Sequence, residues 1–84
     1  MDECLLVYRS MTYAQRTARA LEQAGLRGYV TKLKNVFQKE GCTYGVNIQK
    51  KILPNALEAL KNKDLAPEEA YFILKNGTYQ EISL

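Results

Sequence analysis

The chain has 84 residues, 46% of them hydrophobic and 25% charged, with five glycines and two prolines, so it is expected to fold as one small domain; a two-domain enzyme is excluded, and neither disorder nor a fibrous repeat is favoured. Histidine is absent and the two cysteines, Cys4 and Cys42, lie thirty-eight positions apart, which removes histidine general bases, histidine-containing zinc sites and Cys-x-x-Cys redox pairs. The net charge of +3 is uneven: between residues 9 and 51, nine basic side chains face only Glu22 and Glu40, a local balance of +7 that leaves −4 for the remainder.

That basic middle favours an anionic partner, although ordinary solvated helix and strand faces account for it more simply. Nucleic acid is not the expected partner, because the basic residues are scattered and no Lys/Arg-Gly-Phe-x-Phe stretch occurs. No apolar run reaches about eighteen residues, and Asp2-Glu3 stand where a secretory leader would carry basic residues. A cytoplasmic location without membrane contact is the expectation.

In chain order, residues 4–8, Cys-Leu-Leu-Val-Tyr, form a short apolar run that predicts a buried strand. Thr12 followed by Gln15 has capping-box spacing, and Ala14, Ala18, Leu21 and Gly25 then recur at helical intervals with Ala24 on the same flank. A helix over about residues 12–24 follows, stopped by Gly25. Arg16, Arg19 and Glu22 fall three apart on its exposed stripe. Residues 29–33 are rich in β-formers, and Tyr44, Val46 and Ile48 alternate with polar or small residues, giving two more strands. Between them residues 34–43 form a polar loop in which Val36 and Phe37 are expected to tuck a turn of helix against the body; loops of this length often carry function.

A second helix is expected near Pro54, with Leu53, Ala56, Leu57 and Leu60 on its inner face and its end within residues 62–67. Residues 71–74 read as a strand, Asn76-Gly77 as a hairpin turn, and residues 78–82 as a returning strand. The order predicts an α+β, ferredoxin-like split β-α-β fold (βαββαβ). Two helices lie on one face of an antiparallel sheet, and the chain divides into a core over residues 1–75 and a C-terminal hairpin arm over 76–84. Both parities of the first and last core strands are apolar, so the other face is expected to be covered as well, with dimerisation through it or through the tail as one cause.

In this arrangement the first and third strands are expected to be parallel neighbours, and Cys42 to lie beside Arg9, Ser10 and Thr12. If the alternation of Tyr44, Val46 and Ile48 extends backwards, Cys42 faces the helix side, near the N-terminal end of the first helix. Unpaired amides, the helix dipole and Arg9 would favour a thiolate or another anion there, with Gly41 and Gly45 leaving room for close backbone approach. Cys4 begins the first strand, roughly 16 Å away at about 3.3 Å per residue, too far for a disulfide, and is expected to be a small buried apolar residue. Two readings of Cys42 stand side by side: a reactive thiol, or a partly buried loop cysteine with no chemistry. Ser10 and Thr12 are equally well explained as helix caps.

The opening apolar strand, Arg9-Ser10-Met11-Thr12 leading into an alanine-rich helix, the segment Ala20-Leu21-Glu22-Gln23-Ala24-Gly25-Leu26, and Gly41-Cys42-Thr43-Tyr44-Gly45-Val46 together resemble the DUF3343 family of selenium/sulfur carrier-like small proteins. The similarity runs over about residues 4–74, and its sharpest feature is the cysteine beside glycine before the third strand. The basic residues of the 34–39 segment and the longer tail through Asn76-Gly77 depart from the family pattern. The resemblance implies that Cys42 carries sulfur or selenium as a persulfide or selenosulfide between a donor and an acceptor protein, with Arg9, Ser10, Thr12, Gly41 and Gly45 around it. No metal and no cofactor are implied. The competing expectation is a non-enzymatic module of the same fold that binds a small anion or a protein, with the cysteine incidental; a purely structural, oligomeric subunit is a third.

Overall fold

In the computed structural model, residues 3–33 and 44–84 are described. They form, in order, β1 (Glu3–Tyr8), α1 (Met11–Gln23), β2 (Tyr29–Lys32), β3 (Tyr44–Gln49), a 3-10 turn (Lys50–Ile52), α2 (Leu53–Lys61), β4 (Glu69–Ile73) and β5 (Tyr79–Ile82). The five strands make one sheet in the order β2-β3-β1-β4-β5, and every neighbouring pair is antiparallel. The fold is α+β with two helices on an antiparallel sheet, and its first four strands follow the ferredoxin-like order.

One strand relation differs from the sequence expectation: β1 and β3 are neighbours but run antiparallel, with Tyr8 opposite Tyr44 and Cys4 opposite Ile48. The physical reason lies in the crossovers. A strand-helix-strand unit returns β2 parallel to β1, and β3, antiparallel to β2, inserts between them, so β3 must oppose β1.

Both helices cover the same face. The core unites Cys4, Leu6 and Tyr8 of β1, Val46 and Ile48 of β3 and Ala70 of β4 with Ala14, Ala20 and Leu21 of α1 and Leu53, Ala56 and Leu60 of α2. These strand residues share one parity, as the period of two requires. Leu5 and Val7, of the other parity, are buried too. Both parities of β1 are therefore closed from water, in line with its unbroken apolar run.

Boundaries move where local chemistry outranks pattern. The N-cap of α1 is Ser10, whose Oγ accepts a hydrogen bond from the Tyr13 amide at 3.2 Å, while Thr12 is already inside the helix. Its buried face is Ala14, Thr17, Ala20 and Leu21, so Ala18 and Ala24 lie off it. Gly25 stops the helix at φ 78°, and the Leu26 amide closes back on the Leu21 carbonyl at 2.8 Å. α2 ends by the same device with Asp64 at φ 58° and the Leu65 amide bonded to the Leu60 carbonyl at 2.9 Å. β4 begins two residues earlier than residue 71, because Ala70 packs into the core and Val7 pairs with Glu69. The β4–β5 turn uses Gly77 at φ 85°, with the Leu74 amide reaching the Thr78 carbonyl at 2.8 Å.

Candidate functional site at the Arg9 end of the sheet

β1 delivers the chain to one end of the sheet, where Arg9 and Ser10 make the turn into α1. Three other segments converge on this end. β3 starts here, since Tyr44 lies opposite Tyr8. β2 finishes here, since Lys32 lies opposite Tyr44. The α2–β4 connection also passes through, tied down by the Glu68 amide on the Val7 carbonyl at 2.9 Å. Tyr8, Arg9, Tyr13, Asp64, Leu65, Ala66 and Glu68 enclose a cleft of about 360 Å³.

Tyr8, Arg9 and Ser10 at this end are each held by a local contact. Tyr8 is on the helix side of β1 and only 3% exposed; its hydroxyl donates to the Leu65 carbonyl at 2.7 Å, joining the end of β1 to the segment after α2. Burial pushes its phenol up to about 12; the neighbouring Thr17 hydroxyl opposes that shift, although its Oγ1 finds no partner of hydrogen-bond geometry among the described residues. Arg9 is mostly exposed and forms an ion pair with Glu68, so the cation at the rim is partly matched by a carboxylate. Ser10 is occupied as the helix cap.

Of the residues expected around Cys42, Arg9, Ser10 and Thr12 stand together at the start of α1. Gly45 is in β3, one position past Tyr44, and its role differs from the one expected. A Cβ there would come within 2.7 Å of Leu5 Cδ1, 3.1 Å of the Leu6 carbonyl oxygen and 3.2 Å of Leu33 Cδ2. Glycine is thus required by packing between strands, and that close approach faces Leu5 on the side away from the helices. Gly41, Cys42 and the expected turn of helix at Val36 and Phe37 lie outside the described residues.

Cys4 is a free thiol with no exposed surface, packed in the core opposite Ile48 and Phe72, at the far end of β1 from Tyr8. Burial pushes its pKa up, with the Lys50 ammonium acting in the opposite direction. It is a packing residue, as the apolar run predicts. Sequence reasoning missed Tyr8, Tyr13 and Glu68 as members of the cleft. The signal was available for Glu68: starting the last core strand at Glu69 instead of Tyr71 places Glu68 beside the end of β1.

No described helix is long and apolar enough to cross a membrane, and no group of three or more metal-ligating side chains occurs among the described residues. No family model matches the chain, and comparisons with curated proteins and with solved structures return no match.

Proposed function

We propose that the protein is a sulfur or selenium carrier in which Cys42 holds the chalcogen as a persulfide or selenosulfide, in keeping with the DUF3343-like segment around it. The observation that carries this reading is the pairing of Tyr8 with Tyr44. Cys42 is two residues before Tyr44 in the chain, and Tyr8 leads directly into Arg9 and the Ser10-capped start of α1. Tyr44, Val46 and Ile48 pack on the helix side.

In the transfer, the Cys42 thiolate attacks the terminal sulfur of a donor persulfide. A new sulfur–sulfur bond forms at Cys42, the donor's own sulfur–sulfur bond breaks, and the donor cysteine leaves as a thiolate. The reverse attack by an acceptor thiolate unloads the carrier, and a donor selenosulfide delivers selenium by the same exchange. The amides at the start of α1 favour the anionic loaded form, with Arg9 adding the part of its charge that Glu68 leaves unmatched. The partners are a chalcogen donor and an acceptor protein.

Intact-mass analysis after incubation with a persulfide donor tests the reading. Cys42→Ser is expected to remain folded and to gain no sulfur, because the remaining thiol, Cys4, is buried; equal loading of the variant overturns the proposal. Alkylation of the native protein followed against pH is expected to modify Cys42 below an ordinary thiol's pKa of about 8.5 while Cys4 stays protected. The cleft over Tyr8, Arg9 and Tyr13 supports a second reading, a module that binds a small anion or a partner loop without thiol chemistry. Binding that survives Cys42→Ala favours that module.

A further inference from the structure

The outer flank of α1 carries an excess of cations that the fold does not use. Arg16, Arg19, Gln23 and Lys63 line one surface depression of about 410 Å³, and Arg19, Glu22, Arg27 and Tyr29 line an adjoining one of about 660 Å³. Arg19 belongs to both, so the two depressions form one continuous patch. All of these side chains are exposed. Among the described residues the arginines of this patch make no ion pair, whereas Arg9 is matched by Glu68; Lys63 reaches only the neutral Gln23 Oε1, at 3.5 Å. The patch thus sets four cations against the single carboxylate of Glu22.

We infer that this flank of α1 is a docking surface for an acidic protein. Three features favour a protein over a nucleic acid. The surface carries one exposed aromatic ring, Tyr29, where single-strand recognition relies on successive stacking rings. Glu22 lies between Arg19 and Arg27 in sequence and lines the same depression; it would oppose a uniform phosphate backbone, whereas a protein surface of mixed charge can answer it with one basic residue. Three of the four cations are arginines, which fork onto carboxylates and are enriched where partners anchor. The inference does not rest on Cys42 chemistry.

Fluorescence anisotropy on the full chain at about 0.1 M salt, where charges are screened beyond about 10 Å, tests it with a labelled eight-residue peptide of glutamates around one central lysine; extended, it is roughly 26 Å long, within the 30 Å longest dimension of the protein. Arg16→Glu/Arg19→Glu is expected to weaken binding about tenfold or more, whereas Lys51→Glu/Lys75→Glu, the same charge change at the Glu3 end of the sheet, is expected to change it by less than about twofold. Unchanged thermal unfolding of each variant establishes that the fold is intact. The inference is overturned by the absence of binding to this acidic peptide, by equal losses in the two double variants, which would mean that only net charge is sensed, or by tighter binding of an oligothymidylate of equal charge that Arg16→Glu/Arg19→Glu abolishes.

Discussion

The two helices lie on the same face of the sheet, yet they use their residues differently. α1 has 13 residues, a side-chain cap from Ser10, and a buried face made of two alanines, Thr17 and one leucine. α2 has 9 residues, no side-chain cap, Pro54 in its first turn, and Leu53, Ala56 and Leu60 turned inward. Small inner residues let α1 sit close over β1 and β3, where Gly28 also lies, with no room for a Cβ between Leu21 and Val46. α2 fills volume with leucine side chains instead. α2 is thus a brace whose value lies in its buried face. α1 is held by its cap and by close approach, which leaves a longer outer flank free to carry charge.

The largest expected effect tests the brace. Leu60 has no exposed surface, so Leu60→Ala should lose about 3 kcal/mol of unfolding free energy through lost burial and a cavity, measured by urea denaturation. Charge reversal at Arg16 and Arg19 should stay within about 0.5 kcal/mol in the same assay, since exposed side chains with no ion pair among the described residues add little. Equal losses at the two places would break the contrast between the helices.

A somewhat smaller effect concerns the clamp between the two crossovers, the Tyr8 hydroxyl on the Leu65 carbonyl. Its folded pKa of about 12 lies above the ordinary value of 10.0. Below pH 10 the phenol is protonated in both folded and unfolded chains, so its contribution is fully present. Between 10 and about 12 the unfolded chain releases its proton first, and stability falls as pH rises. The total loss across that window is on the order of 2 to 3 kcal/mol, from about 1.4 kcal/mol per pH unit. Tyr8→Phe should start lower by about 1 kcal/mol through the missing hydrogen bond and show a shallower decline over the same window. An unchanged slope would mean that groups other than Tyr8, such as the buried Cys4 thiol whose pKa burial also raises, carry the alkaline transition.

Much of this architecture was legible because period and punctuation agree. The apolar run of β1, the alternation of Tyr44, Val46 and Ile48, the stop at Gly25 and the Asn76-Gly77 turn each give one answer, and the structure has each of them. The direction of β3 against β1 was misread from topology, not from residues. Ala70 and Glu69 were missed because one small residue after two acids gives little hydrophobic signal, although Ala70 is fully buried. The same holds for Thr17, whose burial in α1 a polarity pattern hides. At the candidate site the start of α1 was legible, while the cleft was not. Its walls come from the ends of β1 and α1 and from the turn after α2, whose meeting depends on strand register instead of on any local motif.

The smallest expected effect decides between two roles for Ser10. As a cap it accepts from the Tyr13 amide, and Ser10→Ala should cost about 1 kcal/mol while Ser10→Asn restores most of it. A cap acts on the helix alone, so neither substitution should alter the pH at which Cys42 is alkylated. If Ser10→Ala raises that pH by a unit or so, roughly 1.4 kcal/mol of thiolate stabilisation, the hydroxyl also serves the anion. The start of α1 would then belong to the site by side chain as well as by dipole.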